Sequence, residues 1–94
     1  MAVVIVNEIA GAGQAFYDDV SPRTLTGGRL PDGCQLRIAG PTDDAWRVIT
    51  VWDSEEQFEE FRTGTLIPAI QEAGYADRVT AKAEAHPLYE VLTS

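Results

Sequence analysis

Two stretches of this chain are apolar at both odd and even positions, and that pattern constrains its architecture more than any other feature. Residues 2–9 run Ala-Val-Val-Ile-Val-Asn-Glu-Ile, and residues 45–52 run Ala-Trp-Arg-Val-Ile-Thr-Val-Trp. Side chains alternate across a strand, so a strand that is apolar at both parities needs cover on both faces. β-Branched and aromatic residues dominate both stretches, which suits a pleated, packed surface.

The rest of the chain offers little to cover them. Gln14 to Val20 reads as a helix with Phe16, Tyr17 and Val20 at one-face spacing. Ser21-Pro22 ends it or starts a new turn, because the residue before proline avoids the helical region. Three glycines and Pro31 make Thr24 to Gly33 a surface loop. Residues 34–39 alternate as Cys34, Leu36, Ile38 against Gln35, Arg37, Ala39, the pattern of a strand, and Gly40-Pro41-Thr42-Asp43-Asp44 turns it into a hairpin. Asp53 or Ser54 caps a second helix whose first turn is acidic. Phe58, Phe61, Thr65 and Leu66 give it one apolar stripe, Pro68 kinks or restarts it, and Gly74 stops it. Residues 79–85 form a last strand, bent at His86-Pro87, and Leu88 to Leu92 is an apolar tail suited to packing on a neighbour.

The resulting order is βαββαβ: an α+β, ferredoxin-like antiparallel sheet with two helices on one face. Val4, Val6, Val48 and Trp52 cannot all share a face with Val3, Ile5, Ile49 and Val51. The helices cover one face, and the simplest cover for the other is a second copy of the sheet. The 94 residues fit a single domain, 1–94. A chain of that size buries only about 60–65% of its unfolded surface, which is a further reason to expect a homodimer.

Charge and cysteine usage exclude several function classes. A net charge of −8, with seven scattered Lys and Arg, argues against nucleic acid and against anionic membranes. Cys34 is the only cysteine and His86 the only histidine, too few for a disulfide or a structural metal centre, so no metal is expected. Gly27-Gly28 lacks the lysine and spacing of a nucleotide loop. The opening apolar run is too short to span a bilayer and lacks a basic leader, so a cytoplasmic location is expected.

The stretch Gly40-Pro41-Thr42, then Trp46 through Ser54, then Phe58 with Phe61, Leu66 through Ile70, and Gly74 resembles the small dimeric α+β barrel proteins of the antibiotic-biosynthesis-monooxygenase-like group. The resemblance covers residues 1–92 in element order, with specific matches between about 34 and 74. It implies a dimer with facing sheets and a ligand cavity between each sheet and its helices or loops. It also implies one of several activities: cofactor-free oxygenation of polyphenolic polyketides, haem degradation, or isomerisation and cyclisation. Haem-degrading members use a first-strand asparagine, and Asn7 sits at a matching place. They also use a helix tryptophan and a helix histidine, where this chain has Phe58 and Phe61 and carries its histidine on the last strand. The resemblance therefore points away from haem, and no cofactor is expected.

Five residues stand out for chemistry, each with a plainer structural alternative. Asn7 lies near the end of the first strand, where its amide would hold a substrate oxygen or bond a loop backbone. Arg37 would stabilise an enolate or phenolate, or be a solvated strand-face cation. Trp52 would wall an aromatic pocket with its indole N–H as donor, or pack in the core or a dimer interface. His86 is the one side chain of a type suited to acid–base work near neutrality and would move a proton, although His-Pro is also ordinary strand-end chemistry. Tyr17 would position substrate or pack half-buried. The carboxylate pairs Asp18-Asp19, Asp43-Asp44 and Glu55-Glu56 do not converge and read as solvated faces. Cys34 reads as a small core residue.

The sequence thus suggests a protein for small apolar or aromatic, polyketide-like molecules, a cofactor-free oxygenase or a cyclase/isomerase. Its catalytic pair would be His86 and Arg37, with Asn7, Trp52 and Tyr17 holding substrate. The alternative is a non-catalytic ligand-binding, regulatory or partner-docking dimer.

Overall fold

β1 (Val3–Ala10) and β3 (Ala45–Trp52) pair antiparallel along their whole length, from Val3 opposite Trp52 to Ala10 opposite Ala45, at the centre of the sheet. The computed structural model describes residues 1–94. β2 (Cys34–Pro41) flanks β3, and β4 (Thr80–Pro87) flanks β1, giving the antiparallel order β2-β3-β1-β4. This is the ferredoxin-like α+β arrangement, with both helical segments on one face. No helix is long and apolar enough to cross a membrane.

The first helix, α1 (Gln14–Val20), buries Phe16 and Val20 and runs on into a 3-10 turn over Ser21–Thr24. The second begins at α2 (Glu55–Phe61) with Ser54 as N-cap; its Oγ accepts from the Gln57 N–H at 3.2 Å, and Glu55 and Glu56 stand in the first turn. It widens to a π turn over Arg62–Leu66 and continues as α3 (Ile67–Glu72). Pro68 explains the widening, because its ring would clash with the carbonyl four residues back in a regular helix. The helix ends where Gly74 takes φ +83°, with Tyr75 N–H bonding Ile70 O and Gly74 N–H bonding Gln71 O, the paired bonds of a glycine stop.

Three sequence expectations need correction. Residues 34–39 do not alternate simply. The register shifts between Cys34 and Leu36, so Arg37 pairs with Thr50, and Cys34, Arg37 and Ala39 share the helix-side face while Leu36 and Ile38 share the other. Even positions of β1 do not go with even positions of β3. Val3, Ile5, Asn7 and Ile9 face the helices together with Trp46, Val48, Thr50 and Trp52, leaving Val4, Val6, Ile49 and Val51 on the open face. Finally, His86 and Pro87 do not bend β4, which stays paired with β1 through Pro87 opposite Val3. The tail beyond it lies exposed at Tyr89 and Leu92.

The helix-side core is divided. One cluster holds Val3, Ile5, Trp52 and Phe58; the other holds Ile9, Phe16, Val20 and Ala69. Asn7 stands between Ile5 and Ile9 on β1 and is itself buried, as are Thr50 and Thr24. Polar side chains at the middle of the sheet keep the two clusters from closing on each other.

Candidate functional site

A cavity occupies that gap. Its floor is β1 and β3 at Ile5, Asn7, Ile9, Val48, Thr50 and Trp52; α1 and the 3-10 turn close one side, and Phe58, Phe61 and Leu66 close the other. The lining is mostly apolar and aromatic, the usual make-up of a small-molecule site with a few fixed polar groups. Its enclosed volume is about 50 Å³. An apolar cavity that accepts benzene needs roughly 150 Å³. A ring therefore needs more room than this conformation offers.

Four of the five residues singled out from the sequence line this cavity: Asn7, Tyr17, Arg37 and Trp52. Asn7 is only 7% exposed; neither end of its amide bonds to the protein, and its Oδ1 is a buried acceptor without a donor. Leaving such a group unpaired costs about 1–3 kcal/mol. Arg37 reaches across the sheet to the 3-10 turn, donating to Thr24 Oγ1 at 2.8 Å and to Ser21 Oγ at 2.9 Å, with its guanidinium 6.0 Å from the centre of the Tyr17 ring. The ion pairs of the chain involve Arg23, Arg47, Arg62 and His86, and none neutralises Arg37. Tyr17 is braced against Trp46, ring centres 5.5 Å apart.

Trp52 walls the cavity, but not as a free donor. Its Nε1 donates to Thr50 Oγ1 at 2.8 Å, and its ring packs against Phe58 and Phe61 at 5.9 and 5.2 Å. The indole is 1% exposed. It supplies an aromatic surface, with its polar edge already satisfied.

His86 falls elsewhere. It stands on β4 opposite Val4, on the open face of the sheet, exposed and 3.5 Å from the Glu84 carboxylate. The whole sheet separates it from the cavity, so the role of moving a proton beside Arg37 does not fit this geometry. Strand parity is the reason: Val4, its partner, points away from the helices.

Cys34, a small core residue by its sequence context, also lines the cavity, and Ser21 and Thr24 carry no functional signal in the sequence. Burial pushes the Cys34 thiol up, outweighing the downward pull of a backbone hydrogen bond at Leu36 and of the Arg37 charge. Ser21 and Thr24 hold the guanidinium in place, and only the fold brings them to Arg37 across the sheet. For a haem iron the lining offers neither a histidine nor an ionised thiol, only the Tyr17 phenol. No cluster of metal-ligating side chains exists.

The chain is an α+β protein of ferredoxin-like topology, and that fold is shared by several solved structures. A point variant of SnoaB, a cofactor-independent oxygenase from Streptomyces nogalater, superposes over 99% of this chain and 98% of its own, with a TM-score of 0.67 and 18% identity. A variant of MhuD, solved with two manganese protoporphyrin IX molecules per active site, covers 98% of this chain and 99% of its own at a TM-score of 0.63 and 18% identity. A provisionally assigned antibiotic biosynthesis monooxygenase from Deinococcus radiodurans covers 100% of this chain and 98% of its own at 0.59 and 18%. No family model and no curated protein matches the chain. At these identities the likeness is one of fold.

Proposed function

We propose that this protein is a homodimer that binds a small aromatic or polyketide-like molecule in the helix-side cavity and oxygenates it without a cofactor. One observation carries the reading: an unpaired buried amide, Asn7, and an unneutralised guanidinium, Arg37, share an otherwise apolar, aromatic-walled cavity. The fold shared with a cofactor-independent oxygenase supports it. In such a reaction an electron-rich substrate that has given its acidic proton to solvent passes an electron from its anion to dioxygen. The radical pair joins as a peroxide, which takes a proton from water and then loses water to leave a carbonyl. Arg37 stabilises the anionic oxygen, Asn7 holds a second oxygen, and Trp52 and Tyr17 orient the ring.

The homodimer rests on the open face. Val4, Val6, Ile49, Val51, Leu36 and Ile38 form two adjoining cross-strand rows there, with Leu36 44% and Ile38 52% exposed. A contiguous apolar face of that kind fits a copy of itself.

Oxygen consumption with anthrone in mildly alkaline buffer, where its acidic C–H ionises in solution, tests the chemistry. Uptake above the protein-free rate, lost in Arg37→Met, supports oxygenation. No uptake despite binding favours a second reading, ligand binding without turnover, for which there is also an observation: no His, Asp or Glu lines the cavity to take the proton. Failure of any aromatic to bind removes both readings.

A further inference from the structure

The cavity combines a fixed positive charge, an unpaired amide and the absence of a proton acceptor, and this combination says more about the ligand than its aromaticity. We infer that the site takes a ligand that is already an anion in solution and carries a separate hydroxyl, with the anionic oxygen on Arg37 and the hydroxyl on Asn7. This rests on the reading of the cavity as an aromatic-ligand site.

The Arg37 guanidinium is always protonated, and a partly buried one ordinarily has a carboxylate beside it. Here its partners are the two hydroxyls of Ser21 and Thr24, which orient it and leave its charge unmatched. No carboxylate lines the cavity to compete for it. The complementary ligand is an anion, and a planar carboxylate or ionised phenol suits the fork of the guanidinium.

The ionisation argument concerns what is missing from the lining. His86 is on the far face of the sheet, and Cys34 is held toward its protonated form by burial. A ligand that must lose its proton after binding finds nothing to accept it. One that ionises in water arrives ready.

The hydroxyl argument concerns Asn7. Neither amide end bonds to the protein, and amide oxygen and nitrogen exchange places by a simple flip. A hydroxyl both donates and accepts, so it satisfies the amide in either orientation. Asn7 and Arg37 lie two strands apart and two residues out of line, because Arg37 pairs with Thr50 and Asn7 with Val48. Strand spacings put their Cα atoms about 12 Å apart. The two polar groups of the ligand therefore belong at opposite ends of a flat ring system, not on neighbouring atoms.

Three probes separate these elements by calorimetric titration at pH 7: 6-hydroxy-2-naphthoate, its neutral amide 6-hydroxy-2-naphthamide, and 2-naphthoate. The hydroxynaphthoate should bind at least tenfold tighter than the amide and several-fold tighter than 2-naphthoate. Arg37→Met should erase the first ratio and Arg37→Lys keep most of it, while Asn7→Val should erase the second. Equal binding of the acid and its amide, or a preference for the acid that survives Arg37→Met, overturns the inference and leaves the aromatic site standing. If none of the three binds, the aromatic site falls and the inference with it.

Discussion

Cys34 and Arg37 lie three residues apart on one strand, yet both face the cavity, because the bulge between Cys34 and Leu36 reverses the alternation between them. Without it Arg37 would point to the open face with Ile38's neighbours, and the cavity would hold no charge. Bulges beside binding sites serve to re-aim a side chain in this way. The pair is also electrostatically linked: burial raises the Cys34 thiol, and the Arg37 charge draws it partly back.

That linkage gives the first prediction. The thiolate is the reactive form, so at pH 8 iodoacetamide should label Cys34 more slowly than it labels glutathione. The rate should still be climbing above pH 9, because a raised pKa moves the ionisation upward. Arg37→Met removes the opposing charge and should slow labelling further at every pH in that range. Labelling as fast as free thiol, or unchanged by the substitution, would show that the two groups do not sense each other.

The same bulge decides how much of the site the sequence carries. Parity within one strand is visible in a sequence, and the limits of β3, the Ser54 cap and the Gly74 stop all stand where the residues put them. Which parity of one strand joins which parity of the next is set by register, and a single extra residue inverts it. Arg37 reached the cavity through an inversion its neighbours do not announce, and His86 was lost to the far face because β4 pairs with Val4 rather than with Val3 at that position. Asn7 was legible because a polar residue amid β-branched neighbours stands out. Its lack of a partner was not, since that depends on every side chain around it.

Asn7 should be a stability cost that the ligand relieves. Replacing it with valine removes an unpaired buried amide and adds a residue suited to a central strand. Urea unfolding of the ligand-free protein should show Asn7→Val more stable by about 1–2 kcal/mol. A loss of stability would mean that the amide is structural.

Thr50 and Trp52 make the opposite case. Thr50→Val keeps the volume and deletes the acceptor of the indole N–H, which is buried with no other partner. The expected loss is about 1–3 kcal/mol, with a changed tryptophan emission from the altered indole environment. Unchanged stability would imply that water reaches the indole, and that the wall of the cavity is looser than its packing against Phe58 and Phe61 indicates.

His86 should be dispensable to the cavity. Its side chain faces Glu84 on the exposed edge of the open face, so His86→Ala should leave affinity for 6-hydroxy-2-naphthoate within twofold of wild type. A tenfold loss would require a route through the sheet that the register does not provide.

The open face supplies the last prediction. Its rows run His86–Val4–Val51–Leu36 and Glu84–Val6–Ile49–Ile38, and beyond them lies a charged row, Lys82–Glu8–Arg47, in which Arg47 binds Glu8 at 2.7 Å. The apolar area is thus bounded by charge along one end and along the β4 edge, a shape that fixes how a second copy can sit. Ile38 is half exposed in the single chain, so Ile38→Lys should cost the isolated fold little, within about 0.5 kcal/mol. In a face-to-face dimer it places an unpaired cation in the apolar contact of both copies, which costs several kcal/mol. Light scattering should therefore find wild type at twice the monomer mass and Ile38→Lys at the monomer mass, with the same far-ultraviolet circular dichroism. A wild-type monomer at micromolar concentration, or a lysine variant that stays dimeric, would place the dimer contact elsewhere or remove it.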